Sequence, residues 1–532
     1  MAGSWPHHDL PSSRSSLPPA YDSIVHDDNN NGTGHLPPVL LTHEQLQGRA
    51  YDGGSAAAIL QVAQHHGQQQ QQGQHHVRQQ QQQQQQLNLE LLVSSDPAGS
   101  ISSGGQDVYE TCCVLQNRFL LLGHVTQGVQ LLDLAKNDKR PITLLWMRVK
   151  QILAIHKSRI VLMMPAGRGK RVRCYSLDAL LCLCHAACNL PYDAPLPDLA
   201  AWQSLGTKKA ADAIQPGRVR LSGNLRLVEN GGTPAYVCDG VVLQDYYYKL
   251  PGCSKDCISM HTYQTTAYVF VAVLQRDQQI VVWQQRLTLY SPLVRHKNYW
   301  VPTEPRAIAF ADDRATLRYL VAVFPSEATV IGLRNCQVHL IPVDMAKLQD
   351  LAQSAHRLDY YEQNHHLNDP PALSPLQWTS LLQLPFYPDG LPATSLTTAY
   401  SNPPAYTTVM AALPSGAPPD PVAVPSTVAP QLFLATLGRQ SFIIDLSGSL
   451  FSTAVYCWSQ DPDQIEFVRL QGAWCAVGFG SSCVEIIHLS TTKRVHRIMN
   501  GVPVRYLGRS EQALLWTCAV QHKVQLYMLR IE

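Results

Sequence analysis

Residues 523–529 read Lys-Val-Gln-Leu-Tyr-Met-Leu. On an extended chain Val524, Leu526 and Met528 fall on one face and Gln525, Tyr527 and Leu529 on the other. From about residue 106 to the end, roughly twenty short runs of this kind follow one another, rich in β-branched and aromatic residues and separated by turn residues. Examples are 118–123 (RFLLLG), 128–134 (GVQLLDL), 268–274 (YVFVAVL), 319–324 (YLVAVF), 483–489 (CVEIIHL) and 513–520 (ALLWTCAV). Many recur at hairpin spacing, and long helical periods are few. The pattern predicts an all-β domain of repeated small sheets. A propeller suits that strand count, because radial repetition hides most sheet edges. No strict sequence repeat is visible, so a large sandwich or paired barrels fit the pattern as well.

Three stretches break the rhythm. Residues 192–216 read as a loop with a helical turn. Residues 344–366 read as a helix, with Asp344 as N-cap and Met345, Leu348, Leu351, Ala352, Ala355 and Leu358 on one face. Residues 388–430, rich in Pro, Ser and Ala, read as a long flexible loop. Before residue 105 the pattern is lost altogether. Residues 1–104 are dominated by Gln, His, Ser, Pro, Asn and Gly, with glutamine runs at 68–72 and 79–86. Such a composition buries too little apolar surface to offset the entropy of ordering, so the stretch reads as a disordered Gln/His-rich tail. Short helices over 56–63 or 87–92 are the only local order it suggests. The domain reading is therefore a tail over 1–104 and a β domain over 105–532, with insertions near 192–216, 344–378 and 388–430.

Composition narrows the function classes. The chain has 532 residues, 45% apolar and 15% charged, with net charge +2, which gives no global attraction for nucleic acid or acidic membranes. No run approaches the roughly 18 apolar residues that span a bilayer. The N-terminal residues lack the apolar core of a secretory signal. The 14 cysteines show no even disulfide framework. The expectation is a cytoplasmic chain with reduced thiols, peripheral to membranes at most.

Asp461, Asp463 and Glu466 lie within six positions, but Asp461-Pro462-Asp463 between two apolar runs is turn chemistry. A calcium loop would want more oxygen ligands and a glycine at its bend. Cys182, Cys184, His185 and Cys188 lack paired Cys-x₂₋₄-Cys spacing and sit in an apolar run, so they read as core rather than zinc ligands. Cys253 and Cys257 form a second close thiol pair near a turn. Residues 167–171 (GRGKR) lack the Gly-x₄-Gly-Lys-[Ser/Thr] spacing of a phosphate loop. They read as a hairpin tip whose Arg168, Lys170 and Arg171 are candidates for contact with an anionic surface. No catalytic, metal or cofactor site is predicted, and an enzyme reading would need convergent polar residues at the mouth of a central channel.

The C-terminal residues carry a family resemblance. Residues 431–498 run through Gly438, Phe442–Asp445, Trp458, Pro462 and Phe467 to the 478–489 hairpin and Thr491-Thr492. This order resembles the last third of a citron homology (CNH) domain, and 119–180, 251–286 and 304–313 are similar to its earlier strands. The similarity is nearest to the CNH regions of fungal-type Rho exchange factors. It implies a seven-bladed β-propeller of CNH type. It also implies protein–protein contact with small GTPases of the Rho or Rab kind, or with tethering and signalling proteins. The exchange-factor pattern is broken, because residues 1–104 are too few for Dbl-homology and pleckstrin-homology domains. Exchange activity is not implied, and a regulator of exchange acting in trans is an alternative.

One short motif occurs twice: Pro18-Pro19-Ala20-Tyr21 and Pro403-Pro404-Ala405-Tyr406. Pro-Pro-x-Tyr is a WW-domain ligand, its prolines pre-set in polyproline II for an aromatic groove. Both copies fall in sequence read as flexible. Pro18, Pro19, Tyr21, Pro403, Pro404 and Tyr406 are thus the predicted WW contacts, with WW-HECT ubiquitin ligases as partners and a ubiquitin-ligase adaptor as the alternative function.

Overall fold

The computed structural model describes residues 89–95 and 109–531, apart from 138, 168, 193–195, 208–225, 231–232, 239–240, 289–290, 314–315, 364–372, 386–430, 499–500 and 521–522. Among the described residues the strands assort into seven four-stranded antiparallel sheets and one of three strands. Blade 1 runs Tyr109–Leu115, Phe119–His124, Gly128–Asp133 and Ile142–Leu145. Blade 2 opens with Val149–Ile155, Ile160–Pro165 and Arg173–Ser176. Its fourth strand, Tyr247–Lys249, comes only after a long insertion. Blades 3 and 4 are uninterrupted. Blade 3 is Cys257–Gln264, Tyr268–Gln275, Gln279–Arg286 and Val294–Trp300. Blade 4 is Ala307–Asp313, Thr316–Val323, Ala328–Gly332 and Val338–Leu340. Blade 5 has Trp378–Gln383, Leu432–Leu437, Gln440–Asp445 and Leu450–Cys457. Blade 6 has Gln464–Leu470, Ala473–Phe479, Val484–His488 and Arg494–Ile498.

Blade 7 takes strands from both ends of the described chain. Val504–Arg509, Ala513–Val520 and Lys523–Arg530 are followed, in space, by Leu89–Ser95. This corrects the reading of 1–104 as tail and of 87–92 as helix. The segment is a strand paired across most of the chain, Glu90 meeting Arg530 at a separation of 440 residues. Local periodicity carries no trace of a partner that distant. Glu90 accepts from Lys139 Nζ at 2.5 Å and Arg530 Nη2 at 3.0 Å. Burial alone would raise its carboxyl pKa, but these two cations outweigh it and hold the group below its ordinary range.

The core lies between the sheets. Buried apolar residues cluster across blades 3 and 4, 4 and 5, 5 and 6, and 6 and 7, and one large cluster spans blades 1 to 3. Leu507, Leu515 and Met528 of blade 7 pack with Cys112, Val114 and Leu120 of blade 1. The seven sheets therefore close into a ring, an all-β seven-bladed propeller. At the blade 5–6 joint Trp458 donates Nε1 to Ser441 Oγ at 2.8 Å. Its ring lies so close to Gly478 that a Cβ there would meet it at 2.5 Å. The glycine that the sequence places in this hairpin is thus required by a close approach.

Among the described residues three α-helices decorate the ring. Helix α1, Leu177–Ala187, is capped by Ser176 Oγ, and Leu177 through Cys184 are all buried. Helix α2, Leu199–Ser204, starts at Asp198, whose carboxylate accepts from Ala201 N at 2.8 Å. It supplies the helical turn expected within 192–216. Helix α3, Met345–Gln363, starts where predicted, with Asp344 Oδ1 accepting from Lys347 N at 3.1 Å.

Candidate functional site

The outer rim divides into a covered part and a bare part. On blades 1 and 2, helix α1 packs on Ile142–Leu145 and Arg173–Ser176. Beneath it Asp178 forms a two-pronged contact with Arg159, whose Nε donates to Oδ2 at 3.2 Å and whose Nη2 donates to Oδ1. Nothing in the described chain covers the fourth strands of blades 3 and 4. Val294 is 56% exposed and Trp300 67%; Val338 is 61% and Leu340 58%. Lys297 Nζ donates to Arg334 O at 2.5 Å, and Tyr299 OH donates to Leu333 O at 3.3 Å, so the blade 3 edge is tied to the turn that leads into the blade 4 edge. Val301 N pairs inward with Gln278 O at 2.9 Å, and Val294–Trp300 is the last strand of its sheet. Alternate backbone N–H and C=O groups on its free side are open to another chain. Arg295 and Lys297 have no carboxylate partner among the described residues.

A second feature is a cavity of about 730 Å³ enclosed by the first strands of blades 3 to 7. Glu466 Oε1 accepts there from Gln464 Nε2 at 2.9 Å and from Tyr506 OH at 3.0 Å, and Oε2 from Arg509 Nη1 at 3.3 Å. Across the cavity Gln383 and Asp312 interlock. Asp312 N donates to Oε1 at 2.8 Å, and Nε2 returns to Asp312 Oδ1 at 2.9 Å. Both carboxylates are tied to neighbouring strands, so this polar set braces the blades. Phe310, Leu382, Leu432 and Phe467 complete the wall.

The predicted residues fall as follows. Asp461 and Asp463 sit in the turn before blade 6, Asp461 facing Arg439 at 3.6 Å. Burial, then the Asp461 charge, pushes the Asp463 carboxyl pKa up. Glu466 belongs instead to the cavity wall, so the three carboxylates form no common site. Cys182 and Cys184 are buried in α1, and burial pushes the Cys184 thiol pKa up. His185 stacks on Tyr192 with ring centroids 4.2 Å apart. Among the described residues no group of three or more His, Cys, Asp or Glu is arranged to hold a metal ion. Lys170 and Arg171 are exposed on the tip between Ile160–Pro165 and Arg173–Ser176, and Gly169 N donates to Asp256 Oδ1 at 3.2 Å. Arg168, Pro18, Pro19, Tyr21, Pro403, Pro404 and Tyr406 lie outside the described residues. Cys253 and Cys257 are brought together, Sγ to Sγ 3.2 Å.

Sequence reasoning missed the bare rim. In Val294–Trp300 only Tyr299 is fully buried, and the run Arg-His-Lys-Asn between Val294 and Tyr299 shows no alternation. A Val and a Trp flanking cations beside a strong strand were the available signal.

No family model and no curated protein matches the chain. Among solved structures the chain is similar to an AfRom2 CNH domain, at 12% identity and TM-score 0.46, over 84% of this chain and 100% of that one. It is also similar to the WD40 β-propeller domain of Doa1, at 9% identity and TM-score 0.40, over 82% and 96%. The propeller assignment rests on the seven sheets themselves. No described helix is long and apolar enough to cross a membrane.

Proposed function

We propose that this protein is a non-catalytic platform that binds other proteins on the bare rim of blades 3 and 4. One observation carries the reading: Val294, Trp300, Val338 and Leu340 are exposed on two linked sheet edges, flanked by Arg295 and Lys297. An exposed aromatic on an unpaired strand edge favours strand addition, with main-chain bonds giving affinity and side-chain pockets giving choice. The cations favour a partner segment that bears carboxylates. Both carboxylates of the cavity wall, Glu466 and Asp312, are engaged in bracing neighbouring strands, so the rim is the better candidate surface. The CNH resemblance points to Rho- or Rab-type GTPases, or to tethering and signalling proteins, as the partner class, in the cytoplasm and peripheral to membranes. Pull-downs with GTP- and GDP-loaded Rho and Rab proteins test this. Capture that Trp300→Asp abolishes supports it, and capture by neither nucleotide state removes the GTPase assignment.

The repeated Pro-Pro-Ala-Tyr motif favours a second activity, recruitment of WW-domain proteins through Tyr21 and Tyr406. Two ligands on one chain raise the avidity of a tandem WW partner without new contacts. WW-HECT ubiquitin ligases fit that description, and the chain would then present propeller-bound cargo to them. Tyr21→Ala with Tyr406→Ala is expected to remove WW binding while rim binding is unchanged. WW binding that survives the double variant would end this reading. The exposed Lys170 and Arg171 offer an anionic-surface contact beside blade 2.

A further inference from the structure

The turn from Tyr247–Lys249 of blade 2 to Cys257–Gln264 of blade 3 is held firmly at its start. Trp283 Nε1 donates to Pro251 O at 3.1 Å, and Cys253 N to Leu250 O at 3.3 Å. Gly252 takes φ +72°, the left-handed region that glycine enters without strain. This geometry turns Cys253 inward, where it is buried, and sets its Sγ 3.2 Å from that of Cys257, which is half-buried. No other two sulfurs are in hydrogen-bond contact among the described residues. Gln275 Nε2 approaches Cys253 Sγ at 3.9 Å, and Cys257 Sγ lies 3.6 Å from Ser254 O. Metal binding does not account for the pair, because among the described residues no third ligand converges on it.

We propose that Cys253 and Cys257 are a reversible modification site, a dithiol that hydroperoxides convert to a disulfide across the blade 2–3 turn. Two sulfurs already in contact need to approach by only about 1 Å to reach the bonded distance of roughly 2.05 Å. The hydrogen bond from Cys257 holds the Cys253 pKa down, and Arg171 acts in the same direction against burial. The same hydrogen bond, then burial, pushes the Cys257 pKa up. Cys253 is therefore the nucleophile and Cys257 the resolving thiol. The Cys253 thiolate attacks the terminal peroxide oxygen, the O–O bond breaks, and the departing alkoxide, or hydroxide from hydrogen peroxide, takes a proton and leaves as the alcohol or as water. Cys253 is now a sulfenic acid. Cys257 sulfur attacks the sulfenic sulfur, the S–O bond breaks, and the hydroxide leaves as water with the Cys257 proton. The two thiols have lost two electrons in total and the peroxide has gained them. The product closes a loop around Ser254, Lys255 and Asp256. Asp256 is the acceptor for Gly169 of the basic tip, so oxidation pins the tip against blade 3.

The full chain in a Cys336→Ser background, which removes the one exposed cysteine among the described residues, is treated with hydrogen peroxide, alkylated and digested with trypsin. Trypsin cuts after Lys249, Lys255 and Arg276, so the disulfide joins peptides 250–255 and 256–276. The linked pair is expected to rise from a trace to the dominant form, about 2 Da lighter than the summed dithiol peptides, and to separate on reduction. Cys257→Ser is expected to stop at the Cys253 sulfenic acid, captured by dimedone. Both peptides recovered fully alkylated after peroxide would overturn the proposal. So would dimedone capture on Cys257 in a Cys253→Ser chain at the rate of the unmodified pair, since that would assign the nucleophile to the wrong sulfur.

Discussion

Blades 1 and 2 on one side and blades 3 and 4 on the other have sheets of the same size, yet their rims have opposite character. On blades 1 and 2 the chain departs after Ser176 into helix α1, which seals the edge with a continuous buried run from Leu177 to Cys184. Leu144 and Leu145 beneath it are buried. On blade 3 a short connection leads straight into blade 4, and the helix that follows blade 4, α3, packs on Leu450–Cys457 of blade 5 rather than on the blade 3 edge. The blade 3 edge is left with Val294 and Trp300 at its ends and Arg295 and Lys297 between, and the blade 4 edge with Val338 and Leu340 on either side of His339. A bare edge invites pairing with other chains, and interspersed cations limit indiscriminate self-association while leaving a selected partner room to dock. One insertion thus separates the rim the molecule keeps for itself from the rim it offers.

Blade 7 provides the most severe way to break this comparison. Its outer strand, Leu89–Ser95, is supplied from outside the run of blades and adds Leu92 to the core between blades 7 and 1. Deleting 89–95 removes buried Leu92, uncovers Leu526 and Met528, and strands Lys139 and Arg530 without Glu90. The expected outcome is loss of the cooperative unfolding transition, read by calorimetry. An unchanged transition would show that the strand is decoration. Next in size is Arg159→Met, which leaves the Asp178 carboxylate, 3% exposed, without its guanidinium under α1. Breaking a buried pair by removing one partner costs about 3–5 kcal/mol. Denaturant titration should find that loss on the covered rim, and a loss below about 1 kcal/mol would mean that α1 is not sealed there.

Acid probes the two sides of blade 3. His261, on its first strand, has its pKa pushed down to about 4 by burial, whereas His296, on the bare strand, is lowered first by burial and then by Lys297. An imidazole whose folded pKa lies below its unfolded value near 6.5 takes up its proton more readily in the unfolded chain. Stability is therefore full above pH 6.5, falls as the pH drops toward 4, and levels off below. Because the His261 side chain is only half-buried, its share of that loss is about 2 kcal/mol rather than the full value of the shift. His261→Phe should flatten the pH 4–6.5 slope more than His296→Phe does. Equal slopes in the two variants would place the acid sensitivity elsewhere.

Much of this organisation was legible in the sequence where the physics is local. Alternation in Lys523–Arg530, the capping Asp344 and the turn at Asp461-Pro462-Asp463 each depend on neighbours a few residues away, and each is found as read. The closing strand was not legible, because its partner is at the other end of the chain and a glutamine-rich context swamps its short Leu-Glu-Leu-Leu run. Glu466 was grouped with the turn carboxylates by proximity, but the period-2 geometry of its strand carries it to Tyr506 and Arg509, some forty residues on. The bare rim escaped notice for the opposite reason: an edge strand facing water on its outer side has no alternation to detect.

The mildest perturbation is the most discriminating. Trp300→Ala removes the largest exposed apolar side chain of the bare rim without uncovering a core residue. Folding stability should change by no more than about 0.5 kcal/mol, the usual range for a surface site away from caps and ion pairs. An aromatic anchor at the centre of an interface, in contrast, contributes 2 kcal/mol or more, so partner affinity should fall about 30-fold. The same substitution is therefore nearly silent in a denaturant titration and large in a binding titration. No substitution on the covered rim has that signature, because Leu180→Ala under the same two measurements costs stability first and binding only through unfolding. If Trp300→Ala destabilised the chain by 2 kcal/mol, the bare rim would be core in solution. If it left both measurements untouched, the partner would dock elsewhere.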